Sequence, residues 1–308
     1  MKKFKDKFTI IILFFFIFEI ITNSSLIMNT IGFSIDIWKN NIFPSLFPFF
    51  VLSDLLINYG FIETTSKLFK PLMKLFKIKS ECAFIFVLSI FSGFPSNSKY
   101  TKELYDKGII NNYEATKILM CTHFSNPIFI LGTITVFLNK KLAIIILISH
   151  YIGNLLIGII FRNYHPSNYK NINNEITKKE TKNFIEVLTN SLIKTIDTLL
   201  LLLGIITTFL IITTVLDKNL NIPDIYQYIL NGIIEMTQGL KYVSDLNIDI
   251  NIKAIIFTFF LSFGGICIHT QVKSILKGTD IKYLPYLLAR ITHGIISSLI
   301  TTLIICLY

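Results

Sequence analysis

Apolar runs and short polar stretches alternate along the whole chain, and the lengths of the runs predict its elements. Phe8–Ile27, Leu142–Phe161, Leu199–Leu216 and Tyr286–Tyr308 each approach the roughly 20 apolar residues that a helix needs to cross a bilayer. Other runs stop short. Residues 88–101, LSIFSGFPSNSKYT, turn polar through Ser92-Gly93-Phe94-Pro95, and a polar helical stretch then ends in Gly108, a residue suited to a C-cap. Residues 111–139 predict a short helix to about Cys121, a break around Ser125-Asn126-Pro127 and a second piece over Ile128–Phe137. Proline removes a donor and disfavours helix at the residue before it. The run that follows Pro44 and Pro48 is too short to span with ease. Residues 63–80 predict an amphipathic helix at the inner surface, with Leu68, Leu72, Leu75 and Phe76 on one face. Past the polar linker Arg162–Lys182, a long run reaches Leu216, a short segment over 225–243 carries Glu235, and 253–279 is interrupted at Gly264-Gly265.

Residues 86–104 and 257–276 resemble one another: each runs apolar, then Ser or Gly, then Gly, then polar and helical. Gly93 aligns with Gly265, Asn97 with His269 and Leu104 with Leu276. A short segment bearing an acid precedes each, Asp54 and Glu235, and a full helix with a hydroxyl–His pair follows, Ser149-His150 and Thr292-His293. In this register 111–141 has no counterpart. The predicted fold is all-α, a polytopic membrane helix bundle with an internal pseudo-repeat, discontinuous helices and re-entrant segments. Its parts are an N-terminal transmembrane helix (1–29), a first half (30–161), a basic polar linker (162–182) and a second half (183–308).

Composition agrees with a membrane location. Only 16% of residues are charged, 52% are hydrophobic and the mean hydropathy is +0.62, against about 25% charged in a soluble domain. The net charge of +10 sits in loops and at the N-terminus, as in MKKFKDK and KLFKPLMKLFKIK. That is the positive-inside pattern, with the N-terminus cytoplasmic, and it argues against nucleic-acid binding. The first apolar run lacks a small-x-small cleavage site and reads as a retained helix. Cys82, Cys121, Cys267 and Cys306 form no CxxC, so free buried thiols are expected.

Breaks in membrane helices carry the candidate chemistry. Non-helical backbone in hydrocarbon leaves N–H and C=O groups that protein, water or a ligand must satisfy. At Gly93–Pro95 the N–H groups of Ser96–Lys99 open a new half-helix whose positive end suits an anion, and Lys99 adds a full charge. The plainer alternative ends a span there and leaves Lys99 in water. Asp54 and Glu235, acids in apolar segments, mark a pathway or else lie at an interface. Glu19 and Asp197 can each sit near a helix end. The pairs Cys121/His123 and Cys267/His269 offer ligands for a soft metal but do not align in the repeat, so no metal site is assigned. For His150 and His293, hydrogen bonding inside the bundle is the expectation. There is no GxxxxGK, HExxH or GxSxG, so the chain does not read as an enzyme and no cofactor is implied.

The stretches LFPFFVLSDLL (46–56), SGFPSNSK (92–99), EATKILMCTHFSNPIFILGT (114–133), SHYIGNLLIG (149–158) and SFGGICIHTQVKSILKGTDIKYLPYLLARITH (262–293) carry a family likeness. They resemble the sporulation integral membrane protein YlbJ family, within the nucleoside-recognition or Gate-domain membrane proteins. The resemblance implies a multi-pass cell-membrane protein of endospore formers, forespore-associated if it acts in sporulation. Gate-domain relatives are similar to concentrative nucleoside transporters and to the pore of ferrous-iron transporters. The sporulation branch looks like machinery that moves dipicolinate, a small aromatic dicarboxylate. Where relatives read Gly-Tyr-Pro-x-Gly-Ala-Lys, this chain has Gly93-Phe94-Pro95-Ser96-Asn97-Ser98-Lys99; where they read a small residue, Gly and Pro, it has Ser125-Asn126-Pro127.

The expected function is transport of a small organic anion, dipicolinate if the sporulation branch applies. The rivals are a nucleoside or metal-ion permease and a non-transporting membrane scaffold. Expected substrate-binding residues are Ser92, Gly93, Pro95, Asn97, Ser98, Lys99, Ser125, Asn126, Gly264, Gly265, His269 and Gln271; Asp54 and Glu235 are the ion-coupling candidates. The implied partners are the lipid bilayer, a small anionic solute and a coupling cation or proton, with an oligomer allowed.

Overall fold

The computed structural model describes residues 2–164 and 183–307, so most of the predicted linker lies outside the described residues. The elements among them are all helical. Helices α1 (Lys2–Thr22) and α2 (Ser24–Ile37) divide at Asn23, inside the run expected to be one helix. A π turn at Trp38–Ile42 carries α2 into α3 (Phe43–Asn58), making a 35-residue apolar helix long enough to span. Pro44 does not stop it, because its missing N–H falls in the first turn of α3. The single amphipathic helix expected over 63–80 is instead α4 (Phe61–Leu68) and α5 (Lys70–Phe76). Pro71 opens α5 and the chain leaves helix at Phe69, so Phe76 is buried while Leu68 and Leu75 face outward.

Next, α6 (Ala83–Ser92) and α7 (Ser96–Asp106) form a hairpin turning at Gly93–Pro95. Gly93 has φ 78°, a conformation that side chains resist. The α6 arm has 10 residues, and at a rise of about 1.5 Å each it reaches about half of a ~30 Å hydrocarbon layer. The element is re-entrant. Helix α8 (Asn112–Cys121) opens on an Asn111–Glu114 capping box and gives way to non-helical residues 122–126. Helix α9 (Pro127–Phe137) resumes the crossing, and α10 (Lys140–Ile160) returns as a full span.

The second half repeats that order. After the long α11 (Phe184–Asn219), α12 (Asp224–Ile234) and α13 (Met236–Asp245) form a hairpin that turns on Glu235 alone. Helices α14 (Ile250–Phe263) and α15 (Gly265–Ile275) make one crossing broken at Gly264, and α16 (Tyr283–Leu307) is a full span. Each half therefore reads long helix, hairpin, broken helix, full helix.

This order corrects the register of the internal repeat. The counterpart of hairpin α6–α7 is α12–α13, and the counterpart of 111–141 is α14–α15 with the residues that follow. The likeness between 86–104 and 257–276 pairs a hairpin tip with a broken crossing. Both places need a positive φ, found at Gly93, Gly264 and Gly265, so glycine recurs there for a local reason.

Helices α10 and α14 pack on α16 at the centre. A Cβ on Gly153 of α10 would strike Ser297 and His293 of α16, and one on Gly294 would meet the Phe259 ring at 2.9 Å. Such small residues let membrane helices approach closely. Helix α2 lies along α11 through Ser34–Thr207 (2.7 Å) and Thr30–Thr214 (3.2 Å) hydroxyl pairs, and Trp38 Nε1 donates to the Leu199 carbonyl (2.9 Å). Lys218 on α11 reaches Glu19 on α1 at 3.1 Å. Phe14, Ile21, Leu303 and Leu307 are exposed and lie where lipid would meet the bundle.

The arms of α12–α13 cross where Gly239 meets the backbone of Gly232. Gly239→Val is expected to lower unfolding stability in detergent by about 1–3 kcal/mol, because backbone cannot move aside. Gly204→Ala, with nothing within 4 Å of the new methyl, serves as the neutral control. Equal melting of the two variants would show that the hairpin arms are not packed in this way.

Candidate functional site

Both hairpin tips, the first break and the half-helix beyond the second break border one cavity. Its wall takes Ser92, Phe94 and Pro95 from the first hairpin tip, and Ser125 and Asn126 from the first broken helix. Glu235, Met236 and Thr237 come from the second hairpin tip, and Ile268 and Gln271 from α15 just past the second break. Asn41, Ser45 and Leu46 close it from the α2–α3 side, with Leu202 and Ile206 from α11. The volume is about 80 Å³, room for a few waters. The wall is mainly apolar with convergent hydroxyls and amides, the usual make-up of a small-molecule site.

Within each half, a positive-φ glycine lets the hairpin tip touch the break. A Cβ on Gly93 would lie 2.6 Å from the Asn126 backbone nitrogen; one on Gly265 would lie 3.3 Å from Ile234 O and Met236 N. Between halves, a Cβ on Gly264 would lie 2.7 Å from His123 Nε2. His123 also stacks on Phe94, ring centroids 4.5 Å apart.

Side chains of the two full spans satisfy the backbone groups that the breaks release. The Ser125 N–H donates to His150 Nε2 (2.8 Å), and Asn154 Nδ2 donates to the His123 carbonyl (2.6 Å). The Tyr151 hydroxyl lies 2.9 and 3.1 Å from the carbonyls of Ile90 and Ser125, so it bridges the first hairpin and the first break. From α16, Arg290 donates to the Met120 carbonyl, to Asn154 Oδ1 (3.3 Å) and to His293 Nδ1 (2.8 Å). The Tyr286 hydroxyl pairs with His123 Nδ1 (2.9 Å).

These partners assign the ring proton of His150. His150 accepts at Nε2, so its Nδ1–H donates to Ser262 Oγ (2.9 Å). His293 Nδ1 lies 2.8 Å from Arg290 and 3.1 Å from the Ser262 carbonyl, and its Nε2 lies 2.9 Å from the His150 carbonyl. Both rings bridge neighbouring helices, a structural use of histidine.

Comparison with known proteins finds two likenesses. Residues 41–162 match the Gate family, described as nucleoside recognition, a stretch that contains the first hairpin, the first break and α10. Over 96% of its length the chain is 28% identical to the sporulation integral membrane protein YlbJ of Bacillus subtilis (strain 168), covering 82% of that protein. The chain is similar to YlbJ over almost its whole length and carries the Gate match within its first half. It is a multi-pass membrane protein, with five helices long and apolar enough to span. No solved structure matches it.

Of the expected site residues, Ser92, Pro95, Ser125, Asn126, Gln271 and Glu235 lie on the cavity wall. Gly93, Gly264 and Gly265 are the bare turns described above. Asn97 is fully buried with neither side-chain polar atom paired, and Ser98 donates to the Pro95 carbonyl (2.6 Å). His269 is held by the Tyr283 hydroxyl (2.9 Å) and the Phe263 carbonyl (3.1 Å), off the cavity wall. Lys99 also turns away from the cavity. Its Nζ lies 3.6 Å from Asp54 Oδ1 and 3.4 Å from Thr195 Oγ1, and 4.4 Å above the Phe50 ring. The two residues expected to serve anion and ion separately are thus partners, joining α7 to α3 and α11.

Among the described residues, no group of three His, Cys, Asp or Glu is arranged to hold a metal. The Cys121 sulfur lies near the Lys117 and Ile118 carbonyls, and Cys267 accepts from Gln271 Nε2 (3.4 Å). Sequence reasoning missed Arg290, Tyr286, Tyr151 and Asn154. An arginine within an apolar run, three residues before His293, was the available signal.

Lys99 and Asp54 are 10% and 3% exposed along their side chains. Lys99→Met is expected to cost about 3 kcal/mol by leaving a buried carboxylate unpaired. The double change Asp54→Asn/Lys99→Met is expected to recover most of that loss. Unfolding titrations in mixed micelles measure both; no recovery in the double variant would mean the two groups are energetically independent.

Proposed function

We propose that this Gate-domain membrane protein is a secondary transporter whose solute site is the cavity that both hairpin tips and both broken crossings border. One observation carries the reading: two hairpin tips and two broken crossings, contributed equally by the two halves, converge on a single small cavity inside a membrane bundle. Broken helices cost backbone hydrogen bonds, and transporters use them to offer unpaired polar groups to a solute at mid-membrane. The cavity at its present size admits waters only, so loading a solute requires the hairpins or the long helices to move. The first half (30–161) and second half (183–308) are proposed as the two structural repeats.

For the solute, we propose a small organic anion of the dipicolinate kind, on the strength of the family's tie to sporulation. Asn126 Nδ2, buried and unpaired, and the amide of Gln271 supply donors for a carboxylate. A second reading has its own support. No Lys, Arg or His lines the cavity, and its amides and hydroxyls would also suit an uncharged solute such as a nucleoside.

Counterflow in vesicles containing the purified chain tests both readings. Labelled dipicolinate is expected to exchange, with nucleosides and Fe²⁺ not moving; exchange of nucleosides alone transfers the site to the second reading. Asn126→Leu is expected to lower the exchange about tenfold, the effect of losing one hydrogen bond to the solute. If none of the three solutes moves, the chain is not a transporter of these classes and the scaffold reading takes its place.

A further inference from the structure

We propose that Glu235 carries a proton into the cavity with each anionic solute, so that carboxylate and proton cross together. The proposal rests on the anion-transport reading above.

Glu235 is the one ionisable side chain among the residues lining the cavity, and it is 3% exposed. Its position is fixed by its own hairpin. Oε2 accepts from the Gln238 N–H (2.9 Å) and the Thr237 hydroxyl (2.5 Å), capping α13. With Oε2 so held, the carboxyl stays at the hairpin tip, and the residue lines the cavity. The cap is a structural role, and it also holds a carboxyl at a hairpin tip where no helix geometry requires an acid; Ser, Thr, Asn or Asp are the ordinary caps.

No cation offsets that carboxyl. From α6–α7, the wall presents Ser92, Phe94 and Pro95, and the nearest charge, Lys99, faces Asp54 instead. From the first break it presents Ser125 and Asn126, with His123 engaged by Tyr286. Helices α2 and α3 contribute Asn41 and Ser45, and α15 contributes Gln271 with the Cys267 thiol behind it. On α11, Asp217 is bound by Gln227 and Asn231 (2.7 Å each), further along the second hairpin. Arg290 is engaged by Met120, Asn154 and His293.

An anion entering this cavity beside ionised Glu235 meets like charge in a poorly solvated space. Protonation reverses the interaction. Glu235 takes one proton from hydronium on the open side, releasing water, and its new O–H donates to the solute carboxylate. On the other side the solute leaves and the proton returns to water. The balance is one proton and one anion moved in the same direction, with no covalent change.

Vesicles with the full chain, a trapped pH dye and the potential clamped test this directly, with pyridine-2,6-dicarboxylate as the probe and empty vesicles correcting for free-acid permeation. For wild type, the lumen is expected to acidify as the solute enters. Solute affinity is expected to fall about tenfold per pH unit once Glu235 is ionised, as linkage to one proton requires. Glu235→Gln is expected to lose both the acidification and the pH slope, and Glu235→Asp to keep a displaced slope. Solute entry without acidification in wild type overturns the proposal, as does a wild-type pH slope retained in Glu235→Gln. The wild-type dye signal decides the matter even if Glu235→Gln does not fold. Absence of any solute entry in wild type overturns the transport reading itself and this proposal with it.

Discussion

The requirement on which the structure turns is that every backbone group freed by a helix break inside a bilayer must find a partner. Hydrocarbon offers none, and each unpaired group costs several kcal/mol. The chain meets the requirement with side chains from its two full spans. His150, Asn154 and Tyr151 on α10 and Arg290 on α16 reach the carbonyls and N–H groups around 120–125. The histidines serve the same end. His150, His269 and His293 have partners at both ring nitrogens, and buried His123 has Tyr286 at Nδ1.

The same requirement organises the two-fold build. Each half supplies one hairpin and one broken crossing, and each hairpin tip leans on the break of its own half through a glycine. The chemistry at the two tips differs. The first tip is a Gly-Phe-Pro turn closed by Ser92 and Ser96 hydroxyls; the second is a single glutamate in extended conformation. Pseudo-symmetry of backbone with asymmetry of side chains is what a site needs to grip one end of a solute differently from the other.

Much of this was legible in the sequence, because Gly and Pro punctuate membrane helices strongly. The breaks at Gly93–Pro95, Ser125–Pro127 and Gly264 could be read from residue type alone. The hairpin at Glu235 could not: Ile234-Glu235-Met236 carries no breaker, and the turn exists because Gly232 and Gly239 let the arms cross against Phe260. The register of the repeat was misread for a related reason, since glycine marks a positive φ and not a position in the topology. Lys99 and Asp54 were each recognisable as costly charges, yet their pairing depends on α3, α7 and α11 meeting, which no local pattern specifies. The spans were underestimated where prolines stood, because Pro44 in a first turn interrupts nothing.

The glycine contacts at the breaks also limit how the cavity can open. Between Gly93 and Asn126 the spacing leaves no room for a methyl group, and between Gly265 and the second hairpin tip it is tight. Surfaces that close cannot slide past one another by even a fraction of a turn without collision. Each hairpin and its broken helix therefore behave as one rigid block. At the outer boundary of that block, α7 meets α3 and α11 through the Lys99–Asp54 pair and Thr195.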